Sequence, residues 1–338
     1  MILSRVSVIV LNYNGKRFIK LCLDNLIRQT YRDIAVSVVD NGSSDGSVEF
    51  IKNHYPHLRL ICFKTNLGFS TANNRIIRSG SEEYIALLNA DAVPDLNWIQ
   101  KLIEAMDALP NAGFAASKML YFDKPFIIDR VGDGYMRAGA GLLRGRGQHA
   151  SDYCKKKWVF GACGGGAIYR RSMLNHIGLF DEDFFLLYED VDLSFRAQLL
   201  GYKCIYVPEA MIFHMASESI GYDSPVSVYY SHRNLEWTYF QNMPKKLMLR
   251  SIHRHLFYIL MAFIYFSARG LIKAFFKAKI DALRGFKSSM DKRKEVQRKK
   301  IVSDRYIWAI LETEHYVNRL NRRLKKSTFL TKNINEGA

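Results

Sequence analysis

The sequence lacks the features that mark a secreted, membrane-spanning or zinc-binding chain. Its five cysteines, Cys22, Cys62, Cys154, Cys163 and Cys204, form no CxxC pair and show no zinc-ligand spacing. An odd, scattered set of this kind reads as reduced, mostly buried thiols in a cytosolic protein. The longest uncharged apolar run, Leu256–Ala268, has 13 residues between Arg254 and Arg269. A helix that crosses a bilayer takes about 20. No charged-then-apolar leader precedes the first strand-like run, Val6–Leu11. A P-loop, internal repeats and low-complexity tracts are absent too. Gly145-Arg146-Gly147-Gln148-His149-Ala150 fits a loose dinucleotide pattern, but no strand leads into it, and the pattern has meaning only between a strand and a helix.

Positive charge is abundant and unevenly placed. The 338 residues carry a net +17, of which residues 241–338 hold +16 (23 Lys and Arg against 7 Asp and Glu). Residues 1–240 are balanced at +1. This asymmetry points to a tail that meets an anionic surface, either membrane or nucleic acid.

The first 120 residues alternate short apolar runs with helical patterns. Strands are predicted at 6–11, 34–39, 58–63, 84–88 and 114–120. Between them, Phe18, Leu21, Cys22 and Leu26 recur at helical spacing, as do Val48, Ile51 and Tyr55, and Leu96, Ile99, Leu102, Ile103 and Met106. Strand–helix alternation with runs apolar on both faces predicts an α/β fold with a mainly parallel sheet flanked by helices. Residues 121–157 lack periodicity and read as a mobile loop or hairpin. Regular structure resumes over 159–214, and from 245 onward the pattern is basic helix. The expected division is a catalytic domain over 1–245 and a basic helical extension over 246–338.

In a parallel sheet, ligands bind beyond the carboxyl ends of the strands. Four successive strand ends carry polar signatures: Asn12-Tyr13-Asn14-Gly15, Asp40-Asn41-Gly42-Ser43, Asn66-Leu67-Gly68-Phe69 with Asn73, and Asn89-Ala90-Asp91. Any one of them is explained as a turn or a helix cap. Four in order on one edge point to a ligand. A strand-end carboxylate accepts hydrogen bonds from a base or ribose, and Asp91 is the hard oxygen ligand that suits Mg²⁺ or Mn²⁺ on a diphosphate. A second cluster follows. Gly164-Gly165-Gly166 leaves room for an acceptor. Glu189, Asp190 and Asp192 open a helical pattern beside Phe184, Phe185, Leu186, Leu187 and Tyr188. Asp192 pairs with Arg196 at i,i+4 spacing. A carboxylate beside an apolar run loses water, which makes it a stronger base, and Asp190 suits that role. His214 ends the last strand, where a lone histidine is ordinarily structural.

These residues together resemble glycosyltransferase family 2, and within it the bacterial rhamnosyltransferase-like members, over about residues 5–245. The resemblance implies the GT-A (Rossmann-like) fold. It makes Asp40 the contact to the nucleotide base, with Asn12, Tyr13 and Asn14 as the adjoining wall. Asn66, Gly68, Phe69 and Asn73 frame the donor. Asp91 matches the second acid of the family's DxD metal motif, and Asn89 replaces the first. Ile212-Phe213-His214-Met215 looks like the segment that adds a metal or phosphate contact. Asp190 matches the catalytic base, with Gly164, Gly165 and Glu189 on the substrate side. The implied reaction is a single displacement with inversion, from a nucleotide-sugar to a hydroxyl of a glycan or lipid-linked acceptor. Rhamnose from dTDP-rhamnose is the first candidate, with UDP- and GDP-sugars as alternatives. A nucleotidyltransferase would carry a Gly-rich, Lys/Arg-containing first loop, which Asn12-Tyr13-Asn14-Gly15-Lys16 matches poorly.

Along residues 247–279, Leu256, Phe257, Leu260, Phe263, Ile264 and Phe276 mix with Arg250, Arg254, Arg269, Lys273 and Lys277. That pattern suits either an interfacial helix on anionic lipid or a helix packed on the catalytic domain. The expectation is a cytoplasmic protein held peripherally on the inner face of the membrane. Nucleic-acid binding is disfavoured by the balanced first 240 residues and by the lack of a recognition motif.

Overall fold

The computed structural model describes residues 4–215 and 223–313. The chain begins with β1 (Val6–Asn12), α1 (Lys16–Ile27), β2 (Ile34–Asp40), α2 (Ser47–His54), β3 (Arg59–Cys62), α3 (Gly68–Ser79) and β4 (Tyr84–Asn89). The four strands pair in parallel in the order β3-β2-β1-β4. Their side chains alternate between two cores. Val6, Val8 and Val10 join Tyr84, Ala86 and Leu88 on the face covered by α1, whereas Ile9, Ile85 and Leu87 join the opposite core with residues of α3. Burial on both faces explains the near-continuous apolar runs. The parallel register sets Asn12 beside Asp40 and Leu11 beside Asn89, so the polar strand ends share one edge.

Beyond β4 the sheet becomes mixed. β5 (Ala92–Pro94), α4 (Trp98–Ala108), β6 (Ala112–Tyr121), β7 (Ile128–Val131), β8 (Asp133–Tyr135), β9 (Gly141–Leu143), β10 (Lys157–Val159), β11 (Gly166–Arg170), α5 (Arg171–Ile177), α6 (Glu189–Leu199) and β12 (Lys203–His214) follow in sequence. β11 inserts antiparallel between β4 and β6, β12 runs parallel to β6, and β7 lies antiparallel on β6. The mainly parallel sheet expected from the sequence therefore holds for the first four strands. β6 and β12 also pair in parallel, whereas β5, β7, β10 and β11 join their neighbours antiparallel. The segment expected as a loop or hairpin contains β7 and the β8–β9 hairpin. Residues 145–150 lead into a short 3-10 turn at Ala150–Tyr153, not a dinucleotide-binding helix. All five cysteines are free, but Cys62 and Cys154 are exposed, so the thiols are less buried than expected.

The C-terminal helices are α7 (Pro225–Asn242), α8 (Lys245–Ala268), α9 (Ile272–Arg284), α10 (Phe286–Lys299) and α11 (Asp304–Ile310). Ser224 caps α7 by accepting from Ser227 N, with Pro225 in the first turn. These helices pack on the sheet domain through specific polar contacts. Lys292 Nζ meets Asp181 at 2.5 Å and Asp183 at 2.6 Å, and Tyr306 donates to Gln198 at 2.6 Å. Arg293, nearly buried, donates to the carbonyls of Phe240 and Met243 at 2.7 Å. Residues 314–338 of the expected extension lie outside the described residues.

The 13-residue apolar run lies inside the 24-residue α8, the one described helix long and apolar enough to cross a membrane. Its two faces differ. Leu247, Ser251, His255, Ala262 and Phe266 are buried, while Leu256, Phe257, Leu260 and Ile264 are about half exposed. His255 Nε2 reaches Glu236 Oε2 at 2.9 Å, and Lys279 of α9 pairs with the same carboxylate. Glu236 thus joins α7, α8 and α9. Burial pushes its carboxyl up, but the His255 hydrogen bond and the Lys279 charge more than reverse this, to about 2. A depressed carboxyl stabilises the fold fully above its unfolded value, and that stability is lost as pH falls through the folded value. Glu236→Gln is expected to cost about 3 kcal/mol at pH 7. The cost should shrink as pH falls from about 4.5 toward about 2, as measured by urea denaturation at a series of pH values.

Candidate active site

The edge formed by β1, β2 and β4 is assembled by its own amides. Asp40 is buried at the end of β2, where its Oδ1 accepts from Ser43 N at 2.9 Å and its Oδ2 accepts from Asn12 Nδ2 at 2.8 Å. Asn12 is fully buried, so its side chain orients the Asp40 carboxylate. The exposed neighbour Tyr13 is the part of this segment free to meet a ligand, at 49% relative exposure. Asn14 takes φ 51°, accepts from Ser44 N at 2.8 Å and donates its own N–H to Ser43 Oγ at 2.9 Å. These bonds fasten the β1 loop to the β2 loop.

The third strand end is tied in by Asn41 of the second strand-end signature. Asn41 Nδ2 donates to Asn66 Oδ1 at 2.9 Å, and Asn41 Oδ1 accepts from Leu67 N at 2.9 Å. Gly68 starts α3 with φ +78°, and a Cβ there would lie 2.5 Å from Phe185 O. Phe69 N donates to that same Phe185 carbonyl at 2.6 Å. The Phe69 ring fills the space above Gly164, where a Cβ would lie 2.7 Å from Phe69 Cζ. Asn73 is buried and donates to Phe69 O at 2.9 Å, while its Oδ1 has no partner. Asn89 N donates to Gly165 O at 3.2 Å, and this brings the glycine loop against the end of β4.

Asp91 and His214 meet across β5 and β12, which pair at Ala92 and His214. Both residues are largely buried, and His214 Nε2 stands 3.4 Å from Asp91 Oδ1 without a hydrogen bond of its own. His214 Nδ1 lies 3.0 Å from Asp129 Oδ2. Asp129, on β7, is fully buried and also pairs with Arg146. Burial draws the His214 imidazolium down, but the two carboxylates outweigh it and hold the ring up at about 9. Asp129 itself is pushed up by burial, yet its partners hold it well below the usual carboxylate range. Asp91 and the His214 Nε2 that faces it are two candidate donors to a divalent cation, with Asp129 steering the ring through Nδ1; among the described residues no group of three or more His, Cys, Asp or Glu side chains is placed to hold a metal ion. The histidine proton would have to leave first.

Asp190 is near the N-terminus of α6. Its Oδ2 accepts from Gly164 N at 3.1 Å and its Oδ1 accepts from Val191 N at 2.8 Å. Arg130 of β7 approaches it, with Nη1 4.0 Å from Asp190 Oδ2 and 3.5 Å from Asp133 Oδ1. Both oxygens of the buried Asp133 lack hydrogen bonds, and burial pushes that carboxyl up to about 7. Glu189 is buried with Oε2 unpartnered, and burial pushes it well above the usual carboxyl range. Asp192 bonds Arg196 Nε at 2.8 Å, as its i,i+4 spacing predicts, and also accepts from Asn242 Nδ2 at 2.7 Å.

The approach to Asp190 is strained. Phe185, Leu187 and Tyr188 all have positive φ, at 62°, 65° and 73°. Such conformations persist only where the surroundings over-determine them. Here α7 supplies the constraint. Asn234, fully buried, donates from Nδ2 toward the carbonyls of Phe184, Leu186 and Leu187 at 3.0, 2.9 and 2.7 Å. Arg233 adds bonds to the carbonyls of Asp183 and Phe184 at 2.9 Å. Asp129, Arg130, Arg233 and Asn234 were not singled out from the sequence. The available signal was an asparagine, a poor helix former, within the apolar pattern of α7.

An α/β sheet with Asp40, Asn89 and Asp91 on one carboxyl edge, beside a carboxylate-led helix and a glycine loop, is the architecture of a nucleotide-sugar glycosyltransferase of the GT-A class. Residues 7–178 match the family described as Glycosyl transferase family 2, and the chain belongs to that family. The N-acetylglucosaminyl-diphospho-decaprenol L-rhamnosyltransferase of Mycobacterium tuberculosis is 30% identical over 252 residues, covering 64% of this chain and 78% of its own. A poly-beta-1,6-N-acetyl-D-glucosamine synthase of Staphylococcus epidermidis is 24% identical over 220 residues, covering 64% of this chain; the chain spans about half of that relative, 51%. Among solved structures, the mannosyltransferase PcManGT from Pyrobaculum calidifontis, in complex with GDP-Man and Mn²⁺, has a TM-score of 0.52 at 18% identity, covering 90% of this chain and 85% of its own. GalNAc-T7 with UDP, GalNAc and Mn²⁺ reaches a TM-score of 0.59 at 14% identity, covering 72% of this chain and 49% of its own. These structural likenesses concern the fold.

If Asn234 sets the loop, Asn234→Ala should lower kcat by at least about tenfold, in line with the cost of misplacing a reacting group. The KM for the donor should change little. Steady-state kinetics beside a thermal melt would check this, since a purely global loss of stability would leave kcat intact below the transition.

Proposed function

We propose that this chain is an inverting glycosyltransferase that passes a sugar from a nucleotide-sugar to a hydroxyl of a lipid-linked or cell-surface glycan acceptor. Rhamnose from dTDP-rhamnose is the first candidate, on the strength of the rhamnosyltransferase relative. The observation that carries the proposal is Asp190, whose carboxylate is held by the Gly164 N–H at the opening of α6 and is linked through β7 to the Asp91–His214 pair.

In this mechanism Tyr13 and Asp40 receive the nucleotide, with Asn12 and Ser43 holding the Asp40 carboxylate in place. Asn66, Gly68, Phe69, Asn73 and Asn89 shape the donor pocket. Gly164 and Gly165 leave space for the acceptor, and Glu189 lines the same side. Asp190 takes the proton from the acceptor hydroxyl as that oxygen attacks the anomeric carbon in line and the nucleoside diphosphate departs. One attack from the opposite face inverts the configuration. Asp91 and His214 would hold Mg²⁺ or Mn²⁺, which when bound supplies Lewis acidity toward the diphosphate. Asp129 orients the His214 ring for that purpose.

We further propose that the protein works at the inner face of the cytoplasmic membrane and attaches there peripherally. The one-sided burial of α8 supports this attachment. A spanning helix would be apolar all round, but α8 buries Ser251 and His255 in protein contacts and exposes Leu256, Phe257, Leu260 and Ile264. Phe263 of α8 touches Phe276 of α9 at 5.8 Å between ring centroids, so the exposed stripe continues through Phe276, Ile280 and Leu283.

Asp190→Asn is expected to retain donor binding and to lose transfer by at least about a hundredfold, the usual scale of a general base; near-normal turnover would refute the base assignment. Asp91→Ala should abolish the Mn²⁺-dependent part of donor affinity in calorimetry, whereas unchanged affinity would remove Asp91 from the metal site. Thermal shift across dTDP-, UDP- and GDP-sugars with Mn²⁺ or Mg²⁺ would identify the donor.

A further inference from the structure

Behind Asp190, one buried cation serves two carboxyl groups. Arg130 Nη1 lies 3.5 Å from Asp133 Oδ1 and 4.0 Å from Asp190 Oδ2. The two carboxyls are held differently. Asp190 accepts one amide hydrogen bond on each oxygen, from Gly164 N and Val191 N. Asp133 is buried, and neither of its oxygens accepts a hydrogen bond among the described residues. A buried carboxylate without donors is costly unless a cation neutralises it. A second carboxylate nearby adds to that cost.

The surroundings give Asp133 little beyond Arg130. Arg146, the other cation that faces it, is paired with Asp129, which also holds the His214 ring. The remaining titratable groups facing Asp133 are the Cys163 thiol of the glycine loop, the Tyr169 phenol of β11 and the Cys204 thiol of β12. Burial pushes all three up, so they stay neutral. Burial, with the Asp190 and Asp129 charges, pushes the Asp133 carboxyl up to about 7 against the pull of Arg130 and Arg146. One guanidinium matches one carboxylate, and the amides that Asp133 lacks are those that Asp190 has.

We infer that Asp133 is the reciprocal carboxyl of the base: it keeps its proton while Asp190 is ionised and releases it when Asp190 takes the proton of the acceptor. The inference rests on Asp190 as the base of the transfer proposed above. The acceptor hydroxyl gives its proton to Asp190 as its oxygen bonds the anomeric carbon. The negative charge that opposed ionisation of Asp133 is then gone, and Arg130 favours the Asp133 carboxylate. The Asp133 proton passes to water. The charge of the three groups is zero before and after, so Arg130 is never left unmatched. The reverse exchange restores the base once the products leave. Asp133 is thus a positioning residue that acts on Asp190 through Arg130.

The test uses the full chain labelled with ¹³C at the aspartate carboxyls, without donor or acceptor. One carboxyl signal, identified by its loss in Asp133→Asn, should titrate near pH 7. In Asp190→Asn its midpoint should fall by about one pH unit or more, because a like charge has been removed. If Asp133→Asn does not fold, as circular dichroism would report, Asp133→Glu also removes the aspartate signal and makes the assignment. An unmoved midpoint in Asp190→Asn would overturn the inference, as would an Asp133 midpoint at the ordinary carboxyl value of about 4. In turnover, Asp133→Asn should lower kcat by about tenfold, the equivalent of one pKa unit, with the KM for the donor little changed. Wild-type kcat in that variant would count against the exchange. The titrations need neither sugar nor acceptor, so an absence of transfer by the wild-type chain would count against the proposed function alone.

Discussion

The charge arrangement on β7 governs how the active edge is organised. Asp129, completely buried, is shared by His214 of β12 and by Arg146. The next residue, Arg130, turns to Asp133 and Asp190. A four-residue strand thereby couples the pair suited to a cation with the carboxylate suited to proton transfer. Buried charges are tolerated only when paired, and the pairing leaves each group little freedom. Removing Arg130 would leave the Asp133 and Asp190 carboxylates facing each other without a cation between them. Removing Asp129 would take away the carboxylate that steers the His214 ring and pairs with Arg146.

The C-terminal helices belong to the same device. The loop that delivers Glu189 and Asp190 has three non-glycine residues at positive φ, a conformation that local sequence alone would not hold. Asn234 and Arg233 of α7 bind the carbonyls that this conformation turns outward. Lys292 of α10 then neutralises Asp181 and Asp183 at the start of the same loop. The basic helices thus act on the site through the backbone they hold, at a distance of more than 40 residues in sequence from the groups they position.

Much of the first half was legible because its signals are local. Apolar runs bounded by Asn-Gly and Asp-Asn-Gly turns mark β1 and β2, and parallel pairing then forces Asn12 and Asp40 together. Local spacing also predicts the Asp192–Arg196 pair, which forms at 2.8 Å. What escaped the sequence is non-local. β7 is too short and too polar to show a period, so Asp129 and Arg130 looked like loop residues. Asn12 was expected to form a wall against the nucleotide, but its side chain turns inward to Asp40, a fact set by the register of two strands. Lys292 and Arg293 sit in a charge run that reads as a solvated helix face, yet both are engaged by groups more than 40 residues away.

A net +16 over the last 98 residues suggests a uniformly cationic surface, but several of those cations already serve the fold. Lys279 is paired with Glu236, Lys292 with Asp181 and Asp183, and Arg293 with backbone carbonyls. The exposed surface between α8 and α9 is aromatic and aliphatic, from Phe257 and Leu260 to Phe276 and Leu283, with Arg250, Arg254, Lys273 and Lys277 beside it. A nucleic acid would find few bonding partners on such a stripe, because its backbone needs a continuous polar and cationic track. A lipid interface offers an apolar phase for the stripe and anionic headgroups for the flanking cations. The apolar face, more than the net charge, is therefore what supports the proposed attachment to lipid over a nucleic acid.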